Sequence, residues 1–436
     1  MRPIRLPHRP AGGFSGNQSE TFEGAISGVI RRAVVIGNGF AGAENQCLGL
    51  VRALGLFSRH SLYRITRPRG GFSRWLNWLP VSTHKKVDSL LRSSGDYLRY
   101  RVNFNGKKEI VKIFLFIKME CGSDHFIVSR LLDILEADAK LIAKMARDSF
   151  DRDGPILVVA SGRDTISIAS SIRVLAPEIV FVVQIQHPRS HLNRFDLVIT
   201  PRHDYYPLTP HAQEQIPWFL RRWITPREPP DRHVVLTEGA LHQADSAALR
   251  SAASAWGNEL AVLPKPLLVV NIGGPTSNCE YGVDLAKQLT VMLQKVLWSC
   301  GSVRISFSRR TPERVSKILV KELSNDPKIY IWDGKGPNPH MGHLAWADAF
   351  IITADSVSML SEACSTGKPV YVIGAQRCTW KFADFQKRLQ EKGVVRPLTG
   401  KEDISETWSY PPLNDTAEAA SQVIEALAER GWIIEA

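Results

Sequence analysis

No apolar run in this 436-residue sequence is long enough to cross a bilayer. The most lipid-like stretch, Ile110 to Met119, carries Lys112 and Lys118, whereas a spanning helix needs about 20 apolar residues. A soluble or at most peripheral protein is expected. Cysteine is scarce. Cys47, Cys121, Cys279, Cys300, Cys364 and Cys378 show no paired spacing and no C-x-x-C, which fits a reducing compartment. The N-terminus lacks the apolar stretch of a secretory signal. Pro3, Pro7 and Pro10 break any amphipathic helix around Arg2, Arg5 and Arg9, so no transit peptide is expected either. Acidic residues are scarce in the first quarter, where residues 1–120 hold 20 Lys+Arg against 7 Asp+Glu; the rest holds 35 against 36.

What is present is an ordinary globular composition, 44% apolar and 22% charged, which excludes wholesale disorder, collagen and coiled coil. The length favours two domains of roughly 150–200 residues. Continuous apolar runs at Ala33–Ile36, Ile156–Ala160, Ile179–Ile185, Leu197–Thr200, Leu267–Ile272, Val303–Phe307, Phe350–Thr353 and Val370–Ile373 are what parallel strands buried on both faces require. Their alternation with helical periodicity predicts an α/β fold of two Rossmann-like, doubly wound domains facing a cleft. The expected organisation is a tail over 1–30, a first domain over 31–225 and a linker region over 226–263. A second domain follows over 264–412, then a C-terminal crossover helix over 413–436. Asn414, Asp415 and Thr416 would cap that helix, and Trp432, Ile433 and Ile434 would return to the first domain.

Several strand-to-helix turns carry candidate chemistry. Gly37-Asn38-Gly39-Phe40-Ala41-Gly42 matches G-x-G-x-x-G, whose amides attract phosphate. No acidic residue ends the following strand at Leu62–Thr66. A dinucleotide, a sugar or phosphate lining and a plain structural turn all fit it. Ser161-Gly162-Arg163 brings an arginine to another strand end. His187, His191 and His203 lie near Asp196 and Asp204, but Pro188 argues against a helical ligand pair; no metal is expected, and His187 and His203 are candidate general bases. In the second half, Gly273 and Gly274 follow a strand, Arg309 and Arg310 are suited to clamping a diphosphate, and Thr311 with Pro312 marks a helix start. Asp355, Ser356, Ser358 and Glu362 follow a strand as a candidate phosphate cradle. Each of these also reads as ordinary capping and packing. Phe72, Trp75, Leu76, Trp78 and Leu79 stand among Arg67, Arg69, Arg74, Lys85 and Lys86, a mixture that suits core packing or a membrane surface. No nucleic-acid motif accompanies the charge.

The segment Asp355-Ser356-Val357-Ser358 with Gly367-Lys368-Pro369-Val370, after the glycine-rich loop at Gly273, resembles the nucleotide-sugar half of glycosyltransferase-B enzymes. More specifically, Arg31–Gln46, Ser161–Arg173, Val182–Thr209 and His343–Gly374 resemble plant mitochondrial fission factors of the elongated-mitochondria type. The resemblance covers roughly 31–100 and 131–436; residues 101–130 depart from it as an atypical insertion. It implies a protein of the cytosol and the cytosolic face of the mitochondrial outer membrane. There it would bind peripherally and help recruit a dynamin-related GTPase. The alternative is a nucleotide-sugar-dependent glycosyltransferase using the interdomain cleft, with a nucleotide sugar as its ligand and no other cofactor required. Homo-oligomerisation is left open.

Overall fold

The computed structural model describes residues 28–65, 138–189, 191–221, 224 and 226–435. The aromatic and basic stretch at 67–86, the atypical 101–130 insertion and residues 1–27 lie outside them. The described strands are β1 (Gly28–Ile30), β2 (Arg32–Gly37), β3 (His60–Arg64), β4 (Ile156–Ser161), β5 (Val180–Ile185), β6 (Leu197–Pro201) and β7 (Val234–Thr237). They continue as β8 (Leu267–Ile272), β9 (Ser302–Phe307), β10 (Ile329–Ile331), β11 (Ala349–Thr353), β12 (Val370–Ile373), β13 (Arg396–Pro397) and β14 (Trp432–Ile434). Two parallel sheets result, ordered β3-β2-β4-β5-β6-β7 and β10-β9-β8-β11-β12-β13. The strand order reverses between β2 and β4 in the first sheet and between β8 and β11 in the second. Ligand crevices of open α/β sheets form at the carboxyl ends of the strands at such points.

The apolar runs explain the layering. In the first sheet Val34, Val158 and Val182 lie in one row, and Val35, Val159 and Val183 in the next. Successive residues point to opposite faces, so the first row packs in one core with the helix over 138–153 (α2) and α3 (Ile166–Leu175). The second row packs under α1 (Ala41–Ala53) and under Ala419, Ala420, Val423 and Leu427 of the C-terminal helix. The second sheet is covered on one face by α7 (Val283–Val296) and α8 (Glu313–Leu323), and on the other by α10 (Val357–Cys364) and α11 (Trp380–Glu391). Between these come α4 (Pro210–Gln215), α5 (Ser246–Ala255), α6 (Gly257–Leu260) and α9 (His340–Trp346), and the last helix, α12, spans Asp415–Glu429. Two doubly wound sheets with a C-terminal helix crossing back to the first are a glycosyltransferase-B-like arrangement.

Four local expectations are corrected. The tail was expected to reach residue 30, yet β1 pairs in parallel with β14, Gly28 opposite Trp432; a three-residue strand whose partner lies 404 positions away leaves no periodic signal. The linker region contains β7, which pairs with β6 and forms the edge of the first sheet. Asn414 makes no side-chain cap. Instead Asp415 accepts the amides of Glu238 and Gly239 at 2.7 and 2.8 Å. Thr311 does not cap α8: the N-cap is Pro312, one residue later, and the Thr311 hydroxyl donates to the carbonyls of Ile272 and Gly273. Cys47, Cys279, Cys300, Cys364 and Cys378 are buried thiols.

Candidate functional site

The first glycine loop is filled from within. The Gly39 amide donates to Glu44 Oε1 at 3.0 Å, and Phe40 donates to the Asn38 side chain at 3.0 Å. Arg64, at the end of β3, grips the same carboxylate with two bonds of 2.9 Å. The Arg64 hydrogen bond, opposed by burial, holds the Glu44 carboxyl below its ordinary range. A Cβ on Gly37 would lie 2.5 Å from Glu44 Oε1. The residue at Gly37 is thus glycine because a carboxylate sits against it. In a dinucleotide fingerprint the third glycine permits close helix–strand packing, but a Cβ on Gly42 would meet nothing within 4 Å. This loop has the spacing of the fingerprint without its packing.

The second loop repeats the device with other residues. Gly273 donates to Thr353 Oγ1 at 2.8 Å and Gly274 to Asp355 Oδ2 at 2.9 Å. Arg310 bonds the same Asp355 oxygen at 3.0 Å and the Gly274 carbonyl at 2.9 Å. The Asp355 side chain is 0% exposed. Burial raises its pKa, and the bonds from Thr353, Gly274 and Arg310 only partly offset that. A Cβ on Gly273 would meet the Asp355 carboxylate at 2.1 Å. Ser356 is buried and caps α10 by accepting the Met359 amide. Of the predicted cradle, Ser358 is half-buried, and Arg309 and Arg310 are both exposed, Arg310 with its guanidinium on Asp355.

Glu362 lies in a junction between the two halves. It is buried, and accepts from Asn45 of α1 at 2.9 Å and bonds His340 Nε2 at 2.8 Å. Gln243 donates to Asn45 in turn at 2.7 Å. The connecting segment passes close by. Ala240 donates to Ser361 at 2.9 Å, and a Cβ on Gly49 would strike the His242 carbonyl at 2.3 Å. A second junction joins the turn after β6 to α11. There Asp204 bonds Lys381 at 2.5 Å and Thr200 at 2.8 Å, and Tyr206 stacks edge-on against Trp380 at 5.0 Å.

His203 belongs to that second junction, packed against Phe382 and Phe385. Burial lowers its pKa to about 4, so it is a neutral core histidine with no route to a substrate. His187 is half-buried, edge-on to Tyr205 at 5.4 Å; burial lowers its pKa also, and its Nδ1 accepts the Arg189 amide at 3.0 Å. Gln186 and Arg189 have φ of 72° and 65°, a conformation that costs non-glycine residues about 1–3 kcal/mol. Arg163 and Arg189 are exposed on the adjacent loops beyond β4 and β5. Neither guanidinium has a hydrogen-bond or ion-pair partner among the described residues. The same residues hold no group of His, Cys, Asp and Glu arranged for a metal. A cavity of about 540 Å³ lies along β7 and α12, lined by Arg202, Asp231, Leu236 and Gln422 among others; none of the candidate residues faces it.

The structure thus brings Gly37 and Gly39 to Glu44, and Gly273 and Gly274 to Asp355; Glu362 and His203 belong to the two junctions, and Arg163 follows Gly162, where a Cβ would lie 3.2 Å from the Asn38 side chain of the first loop. Glu44, Arg64, Asn45, His340 and Lys381 escaped the sequence reading. A carboxylate two residues past the last glycine of the G-x-G-x-x-G turn was the one local signal available for Glu44.

A Rickettsia prowazekii (strain Madrid E) uncharacterized protein is 29% identical over 298 residues, 65% of this chain and 83% of that one. Among solved structures, the UDP-GlcNAc 2-epimerase of Methanocaldococcus jannaschii aligns with a TM-score of 0.48 at 13% identity, over 91% of this chain and 99% of its own. Acinetobacter baumannii MurG aligns with a TM-score of 0.36 at 12% identity, over 92% and 93%. The Arabidopsis thaliana mitochondrial fission protein ELM1 is 63% identical over 433 residues, 99% of each chain. Residues 41–427 match the profile of the family described as Mitochondrial fission ELM1, and the chain belongs to that family.

Proposed function

We propose that the chain serves mitochondrial fission as a recruiting adaptor. It binds peripherally at the cytosolic face of the mitochondrial outer membrane and brings a dynamin-related GTPase there, and it does not transfer sugar between its sheets. One observation carries this reading: both glycine loops at the points of strand reversal already hold an internal carboxylate, Glu44 gripped by Arg64 and Asp355 gripped by Arg310. An incoming diphosphate would have to expel a buried anion from amides it satisfies, and a charge left unpaired in that way is costly. No helix among the described residues is long and apolar enough to cross a membrane, which accords with peripheral attachment.

The transferase reading draws on Arg163 and Arg189, which make no ion pair among the described residues, and on Ser358 at the start of α10. The test uses cells that lack the protein and have elongated mitochondria with less GTPase on them. A chain carrying His187→Ala and Ser358→Asp removes a candidate base and places a carboxylate at the helix start, which tolerates it structurally. Under the adaptor reading this variant restores mitochondrial length and GTPase recruitment. Failure at normal abundance and unchanged melting temperature overturns it. In parallel, UDP-sugars should leave the melting temperature of the parent unmoved, whereas a ligand at ~100 times its Kd adds about 2.7 kcal/mol.

A further inference from the structure

Between β6 and β7 the chain makes a turn with an unusual corner. Leu220 donates its amide to the Pro217 carbonyl at 2.8 Å, which places Trp218 and Phe219 at the two central positions. Those positions ordinarily hold Gly, Asn, Asp or Ser. Trp218 is 82% exposed, Phe219 54% and Leu220 42%, and the two rings meet edge to face at 6.0 Å. The corner is held open by its own scaffold. Arg221 reaches back to the carbonyls of Gln213 at 2.7 Å and Ile216 at 3.2 Å, and Ile216 is buried beneath. The aromatic pair is therefore presented outward before anything binds, and little ordering entropy remains to be lost.

The surrounding charge indicates what it meets. Over residues 214–228, Arg221, Arg222 and Arg227 outnumber Glu214 and Glu228; Arg227 is exposed, without an ion pair among the described residues. Three apolar side chains offer roughly 500 Å² between them, short of the ~800 Å² per partner of a stable protein interface. Trp and Phe flanked by arginine suit the headgroup layer of an anionic bilayer, where the amphipathic ring lies at the interface and the cations meet lipid phosphate.

We propose that the Trp218-Phe219 turn is a membrane wedge that seats this protein on anionic phospholipid. The proposal deepens the reading of a peripheral mitochondrial protein and rests on it, but it is tested without the GTPase. The full chain is sedimented with phosphatidylcholine vesicles, with and without phosphatidylserine. The parent binds the anionic vesicles more tightly. The double substitution Trp218→Ser and Phe219→Ser lowers that affinity tenfold or more, while Trp218→Phe retains most of it. Arg227→Glu weakens binding about fivefold or more, an effect that salt erases. An unchanged melting temperature for these exposed substitutions shows that the fold is intact. Equal binding by parent and double variant overturns the proposal, as does a parent that binds neither vesicle. A parent that self-associates in solution and becomes monomeric in the double variant overturns it too, by assigning the turn to a second copy. Each of these results leaves GTPase recruitment to be judged by complementation.

Discussion

Asn45 Nδ2 lies 2.9 Å from Glu362 Oε1, and this one bond joins the helix after the first glycine loop to the helix after the second half's central strand. Because His340 bonds the other oxygen of the same carboxylate at 2.8 Å, the contact between the halves has a titratable component. Burial disfavours the His340 cation, but the charge and hydrogen bond of Glu362 outweigh it and raise its pKa above 6.5. Burial likewise opposes the Glu362 anion, and His340 outweighs it and holds the carboxyl below 4.5.

A pH window follows for that pair. A raised histidine stabilises fully below its unfolded value and ceases to as pH climbs through the folded one; a depressed carboxyl stabilises above its unfolded value. The stability gap between parent and His340→Gln is therefore greatest between 4.5 and 6.5 and shrinks at alkaline pH. Urea midpoints measured at several pH values check this, and a gap that grows on the alkaline side refutes it.

His203 acts in the opposite sense. Its folded pKa of about 4 lies below the unfolded 6.5, so the unfolded chain takes up a proton that the folded chain refuses. Stability falls as pH drops from 6.5 toward 4, at up to about 1.4 kcal/mol per pH unit from this site. His203→Phe, which suits a position between Phe382 and Phe385, removes that part of the acid loss. Parallel acid titrations of parent and variant contradict the assignment.

At the other junction, Lys381→Met leaves the buried Asp204 carboxylate without its cation. Lys381 is partly exposed, so the cost belongs at the lower end of the usual range, about 3 kcal/mol. Adding Asp204→Asn recovers most of it while keeping an acceptor for Thr200. Chemical denaturation of the two variants measures both effects, and a loss below about 1 kcal/mol shows the pair to be solvent-screened.

Two glycine substitutions separate architecture from resemblance. Gly274→Ala puts a Cβ 2.1 Å from the Arg310 carbonyl, backbone that cannot move aside cheaply, and costs about 3 kcal/mol or prevents folding. Gly42→Ala meets open space inside α1 and stabilises by about 0.5–1 kcal/mol. Thermal melts distinguish them; a damaging Gly42→Ala would restore the packing role that a dinucleotide fingerprint assigns to that glycine.

By itself the sequence determined what depends on neighbours along the chain. Continuous apolar runs such as Ile156–Ala160 must be buried on both faces, and glycines after them must turn the chain. These local constraints specify two parallel sheets, and Ala419, Val423 and Leu427, each four apart, specify a helix that needs a sheet to cover. Tertiary structure alone decided which carboxylate fills which loop, that Val234–Thr237 completes the first sheet, and that Glu362 faces Asn45 across a separation of 317 residues. The reason is physical. A buried charge is satisfied by whatever donor the folded chain brings within 3 Å, and neither periodicity nor spacing records that distance.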